Sequence, residues 1–142
     1  MVHRVLLLTL IPVVMGTAAS AAAEPTKAQL EFFEKKIRPL LVEKCHMCHG
    51  PDKQKSGLRL DTKDGFLAGG DSGPAFNTEK PEESLLLDAV RYGNIQMPPD
   101  RKLADGEINA IAEWLKNGAA WPDQKDAGRI PVRKHGREVA AP

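Results

Sequence analysis

The chain has two cysteines, Cys45 and Cys48, and both fall within one pentapeptide, Cys45-His46-Met47-Cys48-His49. No disulfide between them can tie distant parts of the chain together, because so short a bridge closes a tiny loop and stabilises little. The sequence that follows makes this constraint severe. From Gly50 to Thr78 it carries Gly50, Gly57, Gly65, Gly69, Gly70 and Gly73 and few large apolar side chains. Such a segment buries too little apolar area by itself to offset the entropy of ordering it. Aromatic residues make up only 5% of the 142 residues. A bound group that supplies the missing core is therefore expected, and without it the chain is expected to be largely unfolded.

The ends of the chain read differently from the middle. Arg4 precedes an apolar run, Val5 to Met15, and a small-residue stretch then ends in Ala21-Ala22-Ala23. This is the pattern of a secretory signal peptide, residues 1–23, cleaved after Ala23. The run is too short to span hydrocarbon and contains Pro12, so no stable membrane insertion is expected after cleavage. Residues 123–142 contain Gly128, Pro131 and Gly136 with scattered charge, and read as a flexible tail or linker stub. Residues 24–122 remain as one domain.

Two helices flank the glycine-rich middle. Thr26-Lys27-Ala28-Gln29 fits a capping box. Leu30, Phe33, Ile37, Leu40 and Leu41 then recur on one helical face, with Glu31–Lys35 and Glu34–Arg38 paired on the other. Pro39 should bend or restart this helix. The second helix is expected to open at Asp105 as N-cap, to bury Ile108, Ile111, Ala112 and Leu115, and to close at Asn117-Gly118. A third, Pro81 to Tyr92, would bury Leu85, Leu86, Ala89 and Tyr92. No strand pattern is visible.

The pentapeptide carries the chemistry. C-x-x-C-H is the attachment motif of c-type haem. Two thiols three residues apart at a helix end can each add to a vinyl group on one porphyrin edge, and the next residue, His49, is carried beneath the iron as proximal ligand. One covalent haem c per chain, through Cys45 and Cys48, is the expectation. A zinc site needs two further ligands, and beyond the leader and the pentapeptide only His135 is left. A thioredoxin-like dithiol needs alternating strands and helices, which are absent. Elimination gives the sixth iron ligand. Met47 and His46 lie inside the attachment loop and cannot reach the opposite face, which leaves Met97 in Gln96-Met97-Pro98-Pro99, with His135 as fallback.

These features together resemble the class I cytochromes c, and in detail the planctomycete-type cytochrome c domain. The matching stretches are Ile37 to Leu41, Cys48-His49-Gly50-Pro51, Ser56 to Asp61, Ser72 to Ala75, Pro81 to Leu86, Met97-Pro98-Pro99 and Glu113-Trp114-Leu115, spread over about residues 30–122. The resemblance implies a small all-α fold whose terminal helices cross around the haem, with long Gly/Pro-rich loops. It implies that the Pro74 carbonyl accepts the His49 ring N–H and that Arg59 pairs with a haem propionate. Trp114 would pack where the terminal helices cross, near Phe32 or Phe33.

The functional expectation is an exported, periplasmic or otherwise extracytoplasmic carrier of one electron. Its iron would be held by His49 and Met97, its partners would be redox proteins, and it would not itself be an enzyme. The alternatives are a haem module of a larger exported oxidoreductase, dehydrogenase-linked or peroxidase-like, and a non-haem metal or thiol module. With Lys and Arg at 20 against Asp and Glu at 19, there is no basic excess to hold nucleic acid. Gly70-Asp71-Ser72-Gly73-Pro74 superficially matches a serine-nucleophile loop, but Pro74 stands where an elbow needs its second glycine, so it reads as a turn.

Overall fold

A computed structural model describes residues 24–123. The expected signal peptide and all of the expected tail except Asp123 lie outside the described residues. Among the described residues the regular structure is helical, and extended pairing is confined to the isolated bridges His49–Gln54 and Gly70–Gly73. No helix among them is long and apolar enough to cross a membrane.

The chain enters through the expected capping box. The Thr26 hydroxyl accepts from the Gln29 N–H, and the Gln29 side chain accepts from the Thr26 N–H at 2.8 Å. Helix α1 (Lys27–Phe32) runs straight into a π-helical turn, Phe33–Ile37, and then into α2 (Arg38–Lys44). The π turn sits where Pro39 demands an adjustment. Pro39 has no N–H to give, and the residue before it, Arg38, donates to Phe33 five residues back. One wide turn thus absorbs the proline without breaking the rod. Phe33, Ile37 and Leu41 are buried on its inner face, while Arg38 grips Glu34 at 2.5 and 2.8 Å outside.

Helix α3 (His46–His49) follows after Cys45 alone. The glycine-rich middle is less shapeless than its composition implies, because α4 (Lys63–Ala68) forms inside it. Thr62 caps that helix by accepting from the Gly65 N–H at 3.1 Å, and Phe66 is buried. The expected third helix is two pieces, a 3₁₀ turn at Pro81–Glu83 and α5 (Leu85–Arg91). Ser84 separates them in an extended conformation, with its hydroxyl accepting from the Asn77 N–H instead of capping α5. That break rotates the buried face to Leu86, Leu87, Ala89 and Val90, leaving Leu85 and Tyr92 half-buried.

Helix α6 (Asp105–Lys116) starts one residue earlier than expected. Ala104 is its N-cap and Asp105 its first residue, while the Glu107 carboxylate accepts from the Ala104 N–H at 2.8 Å. Its end is a complete Schellman motif. Gly118, at φ 86°, donates to Leu115, and Ala119 donates to Trp114. Ile108, Ile111, Trp114 and Leu115 form the buried stripe.

Helix α6 packs on the π turn through an aromatic cluster. The Phe33 ring lies 5.7 Å from Trp114 and 4.7 Å from Trp121, and Phe66 lies 5.0 Å from Trp114. The Trp114 indole N–H donates to the Ala120 carbonyl at 2.8 Å, so burying it leaves no donor unpaired. Few aromatics in the chain therefore means one concentrated cluster.

Candidate functional site

The pentapeptide is set by the end of α2. Cys45 donates to Leu41, and Cys48 and His49 both donate back to Cys45, so the helical path carries past Lys44 for one more turn. That turn places Cys45, Cys48 and His49 on the wall of one cavity of about 540 Å³, with Met47 at its rim, 84% exposed. Burial pushes the Cys45 thiol up to about 11, which keeps it a neutral SH at ordinary pH.

An extended strip, Leu58 to Leu60, holds both imidazoles of the motif. His49 Nδ1 lies 3.3 Å from the Leu58 carbonyl and His46 Nε2 lies 2.9 Å from the Leu60 carbonyl. Carbonyls two residues apart in extended chain point the same way, so one strip can serve two rings. The Leu60 N–H returns a bond to the His49 carbonyl at 2.7 Å. In the tautomer with hydrogen on Nδ1, His49 keeps its Nε2 lone pair free as a metal donor. His46 is turned to Leu60 and is not a lining residue.

Two site expectations differ from this geometry. The acceptor for the His49 ring is the Leu58 carbonyl and not that of Pro74. Gly70 and Gly73 close a tight turn on each other, and Pro74 leaves it exposed, while its neighbours Gly73 and Ala75 line the cavity. Arg59 is not on the cavity either. Extended chain alternates its side chains, so Leu58 and Leu60 face the cavity while Arg59 and Asp61 share the other side. There the Arg59 guanidinium makes a two-pronged bond to Asp61 at 2.6 and 3.0 Å. That bond, ahead of the opposing effect of burial, holds the Asp61 carboxyl below its ordinary value of 3.8.

The rest of the lining comes mainly from α5 and the segment after it. Leu86, Ala89 and Val90 line the cavity, and Met97 joins them from an irregular stretch. The Met97 N–H donates to the Ala89 carbonyl at 3.0 Å, the Asp88 carboxylate accepts from the Asn94 N–H at 2.9 Å, and the Tyr92 hydroxyl donates to the Pro98 carbonyl. Sequence reasoning missed Leu58, Leu60 and Tyr92. Alternation in Leu58-Arg59-Leu60-Asp61 is the signal that finds the first two, whereas nothing in the sequence marks Tyr92 for this contact.

These elements thus bring two thiols, an imidazole and a thioether to one mostly apolar space. Its charged lining residues are Lys44, Lys55, Asp71 and Asp100. Among the described residues, no group of three or more His, Cys, Asp or Glu side chains is placed to hold a metal ion by itself.

Comparison with known proteins agrees with the motifs. Residues 45–101 match the family model described as Planctomycete cytochrome C. The match runs from Cys45 through Met97-Pro98-Pro99 to Arg101, and leaves α1, α2 and α6 outside it. No curated protein and no solved structure matches the chain.

Proposed function

Given a planctomycete cytochrome C segment over residues 45–101, we propose that this protein is an exported mono-haem cytochrome that carries one electron between redox proteins. The observation that carries the reading is the convergence of Cys45, Cys48, His49 and Met97 on one cavity. Its volume, about 540 Å³, lies within the range of small-molecule and cofactor sites, roughly 300–1,000 Å³. The donor set fits haem c. Two thiols are neighbours for thioether attachment, an imidazole follows them whose Nε2 is a metal donor in the tautomer with hydrogen on Nδ1, and a thioether lines the same space.

When bound, haem supplies a one-electron Fe(III)/Fe(II) couple without any substrate being transformed. The protein does the rest. Cys45 and Cys48 anchor the porphyrin edge. The Leu58 carbonyl fixes the ring plane and tautomer of His49, as a partner to the outer nitrogen of a metal-bound imidazole does. Leu58, Leu60, Leu86 and Val90 exclude water from the centre, which disfavours the more highly charged oxidised state. Met97, a neutral sulfur donor, acts in the same direction. Removal of residues 1–23 on export suits this assignment, since c-type attachment takes place outside the cytoplasm.

Expression in a host with haem-attachment machinery tests the first part. A pyridine haemochrome spectrum must show covalent haem, and Cys45→Ala with Cys48→Ala must abolish it. Absence of covalent haem in the unaltered protein sinks the reading. Met97→Ala tests the second part through the weak near-infrared sulfur–iron band, which the unaltered protein must show and the variant must lose.

A further inference from the structure

Met97 reaches the cavity from a segment without regular structure, between the end of α5 at Arg91 and the start of α6 at Asp105. A side chain on such a segment swings freely unless the backbone beside it is held. Three bonds from the last turns of α5 hold this one. Asp88 secures the beginning of the segment through Asn94, and Ala89 accepts from Met97 itself. Of these three, the bond from the Tyr92 hydroxyl to the Pro98 carbonyl is the one that grips the chain on the far side of Met97. Tyr92 adopts φ 64° and ψ 45°, the left-handed region that residues other than glycine and asparagine seldom occupy. A glycine would end α5 with less strain, but it would have no hydroxyl to place.

We propose that Tyr92 is a positioning residue for Met97, its hydroxyl fixing the Met97-Pro98 backbone so that the thioether stays directed at the cavity. The proposal rests on the reading of Met97 as sixth ligand. A ligand carried on a loosened segment spends part of its time detached, and a competitor for the same iron position then binds more tightly by that fraction.

Tyr92→Phe in the haem-loaded protein removes one hydroxyl and keeps the ring, the left-handed turn and the bonds to Asp88 and Ala89. The expected result is that imidazole binds the iron about 5- to 10-fold more tightly than in the unaltered protein, within the range one neutral hydrogen bond controls. The sulfur–iron band should also fade at a lower temperature. Guanidinium unfolding followed by tryptophan fluorescence supplies the second measurement, because neither Trp114 nor Trp121 lines the cavity. The unfolding free energy should fall by no more than the imidazole gain converts to, about 1–1.4 kcal/mol. An unchanged imidazole affinity overturns the proposal. A loss of unfolding free energy well beyond the imidazole gain overturns it too, since that marks a general loosening of the domain. Failure of the Met97 reading looks different: the unaltered protein then lacks the band, and Met97→Ala binds imidazole no more tightly than it does.

Discussion

At the scale of single residues, one side chain's place depends on which side of an extended strip it occupies. The family resemblance implies Arg59 as the partner of a haem propionate, yet it stands between two leucines that face the cavity, and alternation turns it outward to Asp61. The pair has a pH signature. Asp61 titrates below 3.8 in the folded protein, so the stabilisation is fully present above that ordinary value and is lost as pH falls through the depressed one. Arg59→Gln should therefore lower the urea midpoint at pH 7, and the two proteins should converge in strong acid. A gap that persists when carboxylates are protonated would show that Arg59 acts through something other than Asp61. Gly69 is a second single-residue constraint. It sits at φ 74°, and a Cβ there would lie 2.3 Å from the Gly73 carbonyl oxygen and 2.7 Å from the Pro74 Cα. Both neighbours are backbone and cannot rotate away. Gly69→Ala should destabilise by about 2–3 kcal/mol in urea unfolding, the range for strain added to a forced clash.

Elements show where local rules hold and where they yield. The first helix is legible because its capping box, its apolar spacing and its ion pairs all point the same way. Cys45 to His49 is legible because the chemistry itself imposes the spacing. Helix α4 is not, since six residues with one buried aromatic, Phe66, leave no period to detect. The break at Ser84 also escapes, because the reason for it lies at Asn77, whose N–H needs the Ser84 hydroxyl. The start of α6 moves to Ala104 because Glu107 already serves the backbone donor there, which leaves the side-chain half of a capping box unused. This gives a direct test. Ala104 is exposed and already has the extended backbone of an N-cap, so Ala104→Ser should stabilise the protein by about 1 kcal/mol in chemical denaturation. No gain would mean that the Ser hydroxyl does not reach the Glu107 N–H.

For the molecule as a whole, the decisive fact is that one continuous apolar core has a side that lines the cavity and a side that does not. Leu58, Leu60, Leu86 and Val90 line the cavity, whereas Phe33, Phe66, Trp114 and Trp121 pack on one another and none of the four lines it. A chain so poor in aromatics reads as one that needs its cofactor in order to fold at all. The structure narrows that expectation, because haem would complete the cavity side while the aromatic rings already pack on one another. The two sides should therefore respond differently when haem is withheld. Around the cavity, residues 50–60 and 92–100 lose the body they pack against and should open at little cost. The packing of α6 on the π turn keeps its aromatic contacts. In a Cys45→Ala, Cys48→Ala protein, amide hydrogen exchange should stay slow within 27–44 and 105–116 and become fast in the two cavity segments. Uniformly fast exchange would mean instead that the aromatic cluster cannot stand alone. Trp114→Ala supplies the converse. Removing a fully buried indole typically costs about 3–5 kcal/mol, a large share of the roughly 5–15 kcal/mol that holds a domain of this kind together. It should erase protection in both helical segments of the haem-free protein. In the haem-loaded protein the thioethers at Cys45 and Cys48 still tie the cavity wall to the porphyrin, so the same variant should keep its haem and unfold at a lower urea concentration.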